Sequence, residues 1–252
     1  MSSAILSVEN LCKTFSTGTA KYEIIKNLFL EIYERDFTVI MGPSGSGKST
    51  LMYALSGIDK PTAGDINFSG KNISGFSNDR LAVFRRDNCG FVFQQTHLLD
   101  NMSILDNILA SGYLVSKNKK AVVAKAKELL IRFNLQENTW HKFPSQVSGG
   151  EAQRAGIARA LINSPKIVFA DEPTGALNYA NGAAVLDALT EANRAGQSIV
   201  MVTHDLRSAY RGNRILFIRD GGILGEFRPP GYTEDDPGRN ATIRDFLTEM
   251  GW

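Results

Sequence analysis

The sequence predicts an α/β domain built on a largely parallel β-sheet. Short apolar runs alternate with helical patterns along the chain, as in strands that are joined by helical crossovers. One of these runs, Phe37–Met41, is followed at once by a glycine-rich loop. The 252 residues suffice for one large domain, because single hydrophobic cores stop growing near about 250 residues.

Taken in chain order, the apolar runs predict the strands, and apolar residues at helical spacing predict the helices between them. The predicted strands are Ile5–Val8, Ile24–Ile32, Phe37–Met41, Phe91–Phe93, Ile167–Ala170, Ile199–Val202 and Ile215–Ile218. The second of these alternates apolar and polar residues, which indicates an antiparallel strand with one exposed face. Helical patterns cover Thr50–Leu55 and the whole stretch from Ser103 to Ser164. The prediction is a strand-rich core interrupted by a helical insert.

Within the insert, the charged and apolar residues separate onto different faces of one helix. Its apolar face comprises Val122, Ala126, Leu129, Leu130 and Phe133, whereas Lys117, Lys119, Lys120, Lys125 and Lys127 lie largely elsewhere. These lysines either contact anionic lipid headgroups or form a solvated helix face. Further on, Pro229-Pro230-Gly231 and Glu234-Asp235-Asp236 predict a linker. Ile243, Phe246, Leu247 and Met250 then predict a short amphipathic helix.

Composition excludes several classes of protein. The chain has 28 lysines and arginines and 26 aspartates and glutamates, so its net charge is 28 − 26 = +2. This charge balance does not require a nucleic acid as a partner. The two cysteines, Cys12 and Cys89, form no CxxC pair, which argues against a disulfide framework and a structural zinc site. No apolar run is long enough to span a bilayer. The N-terminus lacks the basic start and apolar stretch of a secretory signal.

A phosphate-binding loop is predicted directly after the strand Phe37–Met41. Its residues, Gly42, Pro43, Ser44, Gly45, Ser46, Gly47, Lys48 and Ser49, fit G-x-x-x-x-G-K-[ST]. In this pattern backbone N–H groups surround the phosphates, and the next helix directs the positive end of its dipole toward them. We expect Lys48 to reach the β- and γ-phosphates and the Ser49 hydroxyl to bind Mg²⁺.

Two carboxylates follow the predicted strand Ile167–Ala170. The first, Asp171, is suited to hold the Mg²⁺ shell, and the second, Glu172, is suited to polarise a water for attack on the γ-phosphate. General-base help of this kind is worth about 10²- to 10⁴-fold in rate.

A second anion site is predicted at the segment Val147–Arg154. Ser148 and Glu151 form a capping box, which marks the start of a helix. An ordinary capped helix does not explain Gly149 and Gly150 in its first turn, because glycine weakens a helix by up to about 1 kcal/mol. Backbone access for an anion is the better explanation.

From Leu6 to Gly222, the sequence resembles the nucleotide-binding subunits of ABC transporters. The motifs follow the family's order: the phosphate loop Gly42–Ser49, the Q-loop Phe91–Gln94, the signature Val147–Glu151, the Walker B strand with Glu172, the D-loop Gly175, Ala176, Leu177 and Asn178, and the switch His204. The resemblance implies a P-loop NTPase cassette with a mainly parallel core sheet, an antiparallel β subdomain and a helical subdomain. Its expected limits are 1–228 for the ATPase domain, with the helical part 96–164 inserted in a RecA-like core, and 229–252 for the C-terminal linker and helix.

The resemblance also implies residue roles for ATP and Mg²⁺. ATP lies between the phosphate loop of one subunit and the signature helix of a second. The implied ATP-binding residues are Phe15, the phosphate loop, Thr50, Gln94, Ser148, Gly149, Gly150, Glu151 and His204; the Mg²⁺ residues are Ser49, Gln94 and Asp171; and the catalytic residues are Glu172, His204, Gln94 and Lys48. The segment Thr96–Met102 is expected to meet the membrane partner.

Some of these roles leave alternatives open. Phe15 stacks on adenine, or Tyr22 does, or Phe15 simply packs on the sheet. The signature ends in Glu151 where the family usually has Gln, which capping tolerates. Asn178 replaces the usual Asp of the D-loop, so it either tunes contacts across the dimer or caps a helix.

The predicted function is that of an ATPase subunit, a homodimer formed on ATP binding that drives a membrane permease. The motifs resemble the branch of macrolide exporters, lipoprotein-release machines and antimicrobial-peptide resistance transporters, with Gly175–Asn178 favouring the last group. The alternative is a soluble ABC protein of translation or DNA repair. The expected location is cytoplasmic, on the inner face of the cell membrane, with no nucleic-acid partner.

Overall fold

The computed structural model describes residues 3–18, 20–234 and 236–252. Met1, Ser2 and Thr19, together with Asp235 of the predicted linker, lie outside the described residues. The strands are β1 (Ala4–Thr17), β2 (Ala20–Tyr33), β3 (Phe37–Met41), β4 (Ala63–Phe68), β5 (Lys71–Asn72), β6 (Cys89–Phe93), β7 (Ile167–Asp171), β8 (Ser198–Val202), β9 (Arg214–Arg219) and β10 (Gly222–Phe227). The helices are α1 (Lys48–Leu55), α2 (Asn78–Asn88), α3 (Ile104–Tyr113), α4 (Lys119–Arg132), α5 (Glu137–Trp140), a 3-10 turn (Pro144–Gln146), α6 (Gly149–Leu161), α7 (Tyr179–Arg194), α8 (Leu206–Ala209) and α9 (Pro237–Glu249).

The chain forms two compact units. The first unit comprises Met1–Val83 and Gln197–Trp252, and the second unit comprises Phe84–Gly196. The predicted helical segment 96–164 falls inside the second unit; its limits as a subdomain stay a prediction. The predicted α/β fold, with parallel, antiparallel and helical parts, is confirmed.

The first unit contains an antiparallel sheet with the strand order β2-β1-β4-β5. The pairing of β1 with β2 runs from Ala4↔Tyr33 to Thr17↔Ala20 and shifts register at several points, including between Val8 and Leu11. Such bulges add an unpaired residue and break the alternation of apolar and polar side chains. For this reason, the prediction that the first strand ends at Val8 is wrong, and the strand continues to Thr17.

The first unit also contains the parallel strands that carry the glycine-rich loop. β3 pairs in parallel with β8, from Phe37↔Ile199 to Ile40↔Val202, and with β9, from Thr38↔Arg214 to Met41↔Phe217. Strand β10 pairs with β9 in antiparallel fashion. Every residue of β3 and β8 is buried, as expected for parallel strands covered on both faces. This is why both were recognisable as continuous apolar runs.

The second unit combines a parallel strand pair with helices. β6 pairs with β7 from Cys89↔Ile167 to Phe93↔Asp171. α4 buries Val122, Ala126, Leu129 and Leu130, as its spacing predicts. Trp140 of α5 is 4% exposed, and its indole N–H donates to the Leu135 carbonyl oxygen at 2.9 Å. The helices therefore enclose an apolar core of their own.

The C-terminal helix α9 packs on the first unit. It begins at Pro237, well before the predicted apolar positions, because Asp236 caps it and proline suits its first turn. Ile243 and Leu247 are fully buried, and Phe246 stacks on Phe227 with ring centroids 5.3 Å apart. Trp252 follows the helix and is 46% exposed.

A buried arginine of α9 holds the chain that follows α8. Arg239 is 3% exposed, and its guanidinium donates to the carbonyl oxygens of Pro230, Tyr210 and Gly212. Tyr210 and Gly212 are themselves bonded through their N–H groups to α8. The end of α8 is thus fixed to the C-terminal helix.

Several strands and helices of the structure were not predicted from the sequence. The missed strands are β4, β5 and β10, and the missed helices are α2, α7 and α8. β5 has two residues and β10 alternates exposed and half-buried residues, so neither forms an apolar run. α2 is mostly polar. Half-exposed elements carry a weak periodic signal, because only one narrow face needs apolar residues.

Candidate nucleotide-binding site

The glycine-rich loop joins β3 to α1 in the first unit. A Cβ on Gly42 would lie 2.1 Å from the Ile218 carbonyl oxygen, and one on Gly47 would lie 3.1 Å from the Ile24 carbonyl oxygen. Gly47, the N-cap of α1, also has a φ of 95°, which only glycine adopts without strain. Packing and backbone conformation therefore both require these glycines, as the motif predicts.

The polar side chains of the loop are directed into it. The Lys48 ammonium donates to the carbonyl oxygens of Gly42 at 2.9 Å and Pro43 at 2.8 Å. Ser46 is 8% exposed, and its hydroxyl makes no hydrogen bond within the described part of the chain. A buried hydroxyl without a partner is costly, and a phosphate oxygen would accept from it. The loop thus fits the polyphosphate that its sequence predicts.

His204 leaves the sheet beside this loop. Val202 is paired with Ile40 in the parallel ladder, and the Thr203 N–H donates to the Ile40 carbonyl oxygen at 3.2 Å. The segments that follow β3 and β8 therefore leave the sheet at the same edge. The first begins at Gly42 and the second contains His204. Asp205 then caps α8 by accepting from the Arg207 N–H.

The two candidates for adenine stacking are cross-strand neighbours in the first unit. Phe15 of β1 pairs with Tyr22 of β2, and they are 43% and 56% exposed. The Lys13 ammonium lies 4.8 Å from the centre of the Phe15 ring. Both rings are exposed enough to stack on a base, and the assignment of adenine to Phe15 stays a prediction.

In the second unit, Gln94 and Glu172 come directly after the last paired residues of two neighbouring parallel strands, β6 and β7. Phe93 and Asp171 are partners at the ends of β6 and β7, so the next residues, Gln94 and Glu172, leave the same edge. Glu172 has a φ of 46°, a left-handed conformation that is uncommon outside glycine and that clusters at functional sites.

The D-loop packs directly against Gln94. A Cβ on Gly175 would lie 2.9 Å from the Gln94 side-chain nitrogen. The glycine at this position therefore makes room for the glutamine. The sequence offered no signal for this contact, because it joins two motifs far apart in the chain.

The predicted capping box at the start of α6 is present. The Ser148 N–H donates to the Glu151 carboxylate at 2.8 Å, and the Glu151 N–H donates to the Ser148 hydroxyl at 3.3 Å. The first of these bonds is the main cause that lowers the pKa of Glu151 below its ordinary value. Glu151 therefore caps the start of α6, as its spacing from Ser148 predicts.

The structure adds a packing reason for one signature glycine. A Cβ on Gly150 would lie 2.7 to 2.9 Å from the side chain of Asn181 in α7, whereas one on Gly149 would lie 3.2 Å from a methyl group of Leu177. Anion access is therefore not the sole explanation for glycine at Gly150. Asn181 was missed by the sequence analysis, since nothing in its own neighbourhood marks it.

Asn178 caps α7. Its side-chain oxygen accepts from the Asn181 N–H at 3.0 Å, and its backbone is extended, as a capping residue requires. Of the two alternatives for this position, the structure shows the helix cap; a contribution across a dimer stays a prediction.

Two unpredicted residues fix the segment Thr96–Met102. Arg159 donates to the carbonyl oxygens of Thr96 and His97, and burial lowers the pKa of its guanidinium. The Asn107 side chain donates to the carbonyl oxygens of Leu99 and Met102 and accepts from the Leu99 N–H. The segment is therefore held in shape, although Leu99 itself is 55% exposed.

The predicted residues thus divide between the units. The first unit holds Phe15, the glycine-rich loop and His204, and the second unit holds Gln94, Asp171, Glu172, the signature and the D-loop. These features define the class of P-loop nucleotide-binding proteins. The glycine-rich start of α6 adds the signature motif that the sequence resemblance to ABC proteins predicts.

The family assignment follows from comparison with known proteins. The profile of the family described as "ABC transporter" matches residues 25–175. The chain belongs to the ABC transporter family, and the predicted identity as an ATPase of that family is confirmed. Among the described residues, no helix combines the length and apolar character needed to cross a bilayer.

Several relatives resemble most of the chain. It is 40% identical over 239 residues to the macrolide export ATP-binding/permease protein MacB of Pectobacterium atrosepticum. This alignment covers 94% of the chain and 37% of MacB. It is 41% identical over 220 residues to the uncharacterized ABC transporter ATP-binding protein MJ1508 of Methanocaldococcus jannaschii, which covers 87% of this chain and 98% of that protein. The chain therefore spans little more than a third of the first relative.

Solved structures agree with this assignment. The dimeric post-hydrolysis structure of the ATP-binding cassette MJ0796, bound to ADP and Pi, matches with a TM-score of 0.82 and 36% identity, over 88% of this chain and 98% of that one. A second dimeric structure of MJ0796, a bacterial ABC transporter cassette, matches with a TM-score of 0.80 and 37% identity, over 88% of this chain and 98% of that one.

Proposed function

We propose that the chain binds ATP with Mg²⁺ in the loop Gly42–Ser49 and hydrolyses it. The observation that carries this proposal is the interior of the loop. The buried Lys48 ammonium there is bonded to carbonyl oxygens, and the Ser46 hydroxyl has no partner among the described residues. Phosphate oxygens would accept hydrogen bonds from both. The start of α1 adds backbone N–H groups and has no acidic residue in its first turn.

The residues proposed for Mg²⁺ are Ser49, Gln94 and Asp171. All three offer oxygen atoms, which Mg²⁺ prefers. When bound, Mg²⁺ neutralises charge that develops on the phosphates.

The residues proposed for hydrolysis are Glu172 and His204. Glu172 accepts a proton from the attacking water, and the register of β6 with β7 puts it beside Gln94, which orients that water. His204 donates a hydrogen bond to the γ-phosphate, and the register of β3 with β8 supports this because it puts the histidine beside the phosphate loop.

Substitution of two residues tests these roles separately. Glu172→Gln keeps the size of the side chain but cannot accept a proton, so ATP hydrolysis should fall at least about 100-fold while ATP binding persists. Lys48→Ala should lose ATP binding itself. Steady-state ATPase assays and nucleotide titration measure both. Near-normal turnover by Glu172→Gln would contradict its role as the base.

The proposed active form is a homodimer assembled on ATP. In it, the start of α6 in one copy contacts the phosphates held by the other copy, as the dimeric relatives support. Sedimentation of Glu172→Gln with and without Mg-ATP tests this. A mass that does not change with ATP would contradict it.

The proposed cellular role is to drive a membrane permease from the cytoplasmic face, in export of or resistance to an antimicrobial peptide or macrolide. The relatives named for macrolide export support this, and lipoprotein release is the alternative. The test is to express the chain together with a candidate permease and to measure sensitivity to bacitracin, a lantibiotic and a macrolide. Protection that Glu172→Gln preserves in full would contradict coupling to ATP.

A further inference from the structure

An exposed apolar turn in the second unit comprises the last residue of α3 and the two residues that follow it. Tyr113, Leu114 and Val115 are consecutive, and they are 39%, 67% and 47% exposed. Single exposed apolar residues are ordinary, but three consecutive exposed ones are costly in water. The turn therefore presents an apolar surface that lacks cover within the described residues.

The same part of the chain is strongly basic. Residues 107–127 contain five lysines and no Asp or Glu, although the whole chain has a net charge of only +2. Lys125 is engaged, because its ammonium donates to the Ser164 hydroxyl at 2.5 Å. Lys117, Lys119 and Lys120 are exposed, and no ion pair engages them within the ranges that the structure describes.

The lysines and the apolar turn are contiguous. The Lys119 ammonium lies 5.8 Å from the centre of the Tyr113 ring. Asn118 caps α4 and separates Lys117 from Lys119, so the cations begin two residues after Val115. Lys120 lies on the side of α4 opposite the buried Val122 and Ala126, whereas Lys119 lies in the first turn on the same side as Val122 and is nevertheless exposed.

We propose that this patch, defined as Tyr113, Leu114, Val115, Lys117, Lys119 and Lys120, binds the surface of an anionic phospholipid bilayer. The apolar residues enter the headgroup layer, and the lysines pair with lipid phosphates. Surfaces that combine apolar residues with lysines bind anionic bilayers through burial of the apolar side chains and through electrostatic attraction to the lipid headgroups. A bilayer fits better than a soluble polyanion, because a polyanion would have no use for Leu114 and Val115. This contact is independent of ATP hydrolysis.

The test uses the purified full chain and vesicles of phosphatidylcholine, with or without phosphatidylglycerol. We expect the chain to sediment with the phosphatidylglycerol vesicles and to release as salt is raised, because salt screens exposed charges. Replacing Lys117, Lys119 and Lys120 by Gln should weaken binding about 100-fold at low salt. Leu114→Ser with Val115→Ser should weaken it about tenfold.

Matched controls separate the patch from charge and hydrophobicity in general. Lys21, Lys26 and Lys71, all exposed in the first unit, are replaced by Gln to remove the same charge, and Phe29→Ser with Leu224→Ser removes two exposed apolar side chains. Both controls should bind vesicles like the unchanged chain.

Three results would overturn the proposal. The first is equal binding to both kinds of vesicle, and the second is an equal loss in the lysine control. The third is that Leu114→Ser with Val115→Ser binds vesicles like the unchanged chain and that RNA displaces the chain from the vesicles. That result would indicate a polyanion site instead of a membrane surface. Because every substituted residue is exposed, thermal melting should show that all variants are folded.

Discussion

The start of α6 allows the two signature glycines to be separated by experiment. Gly150→Ala places a methyl group 2.7 to 2.9 Å from the Asn181 side chain, including its Cβ at 2.9 Å. The Cβ of Asn181 is fixed to the α7 backbone, so the contact is relieved only if the two helix starts move apart. Gly149→Ala brings its methyl group to 3.2 Å from Leu177 Cδ2, the end of a side chain that can rotate away.

The expected magnitudes follow from these contacts. Overpacking typically costs about 1 to 3 kcal/mol, and replacing a helical glycine by alanine returns up to about 1 kcal/mol. Gly150→Ala should therefore lower the free energy of unfolding by about 1 to 2 kcal/mol, or the melting temperature by about 2 to 8 °C for a chain of this size. Gly149→Ala should leave the melting temperature unchanged or raise it.

Thermal unfolding followed by circular dichroism, without nucleotide, measures both variants. Adding Asn181→Ala to Gly150→Ala removes the two nearest side-chain atoms and should recover part of the loss, a coupling of about 0.5 to 2 kcal/mol in the double-mutant cycle. Equal melting temperatures for the two alanine variants, or no coupling with Asn181, would refute the packing argument and leave anion access as the reason for both glycines.

Three further changes test contacts described above. Asn178→Ala should cost about 1 kcal/mol of stability, whereas Asn178→Asp should cost nothing because aspartate caps equally well; an ATPase rate altered more than about twofold by Asn178→Asp would instead support a role at the dimer contact. Arg239→Met should cost about 3 kcal/mol by leaving three carbonyl oxygens without their donor, whereas Arg244→Met on the same helix should cost far less; urea unfolding compares them. Since the pKa of Glu151 is lowered in the folded chain, its contribution to stability is complete above the ordinary glutamate pKa and is lost as the pH falls through the lowered value. Glu151→Gln should abolish that loss in unfolding measured from neutral to acidic pH, and an unchanged pH profile would contradict it.

The elements that sequence predicted best are those whose residues share one environment. Phe37–Met41 was predicted with its observed bounds because every side chain in it is buried, so hydrophobicity alone marks it. The capping box was readable because Ser148 and Glu151 contact each other three residues apart. In β1, by contrast, register shifts interrupt the alternation, and no local rule predicts where a strand bulges.

The parts of the site that sequence missed depend on contacts between distant segments. Gly175 makes room for Gln94, and Gly150 for Asn181; each pair is separated by tens of positions, so a single sequence shows a glycine but not its neighbour. Arg159 likewise holds Thr96 and His97 from another helix. Motifs revealed which residues could bind nucleotide, whereas packing decided which other residues hold them.

The two tryptophans give each unit an optical reporter of its own. The chain contains two, Trp140 and Trp252, one in the buried interior of the second unit and the other half exposed after α9 on the first unit. A soluble quencher such as iodide reaches an exposed indole and not a buried one, so it dims Trp252 while sparing Trp140. Trp252→Phe then leaves a chain whose fluorescence follows the second unit alone, which makes the order in which the two units unfold directly visible.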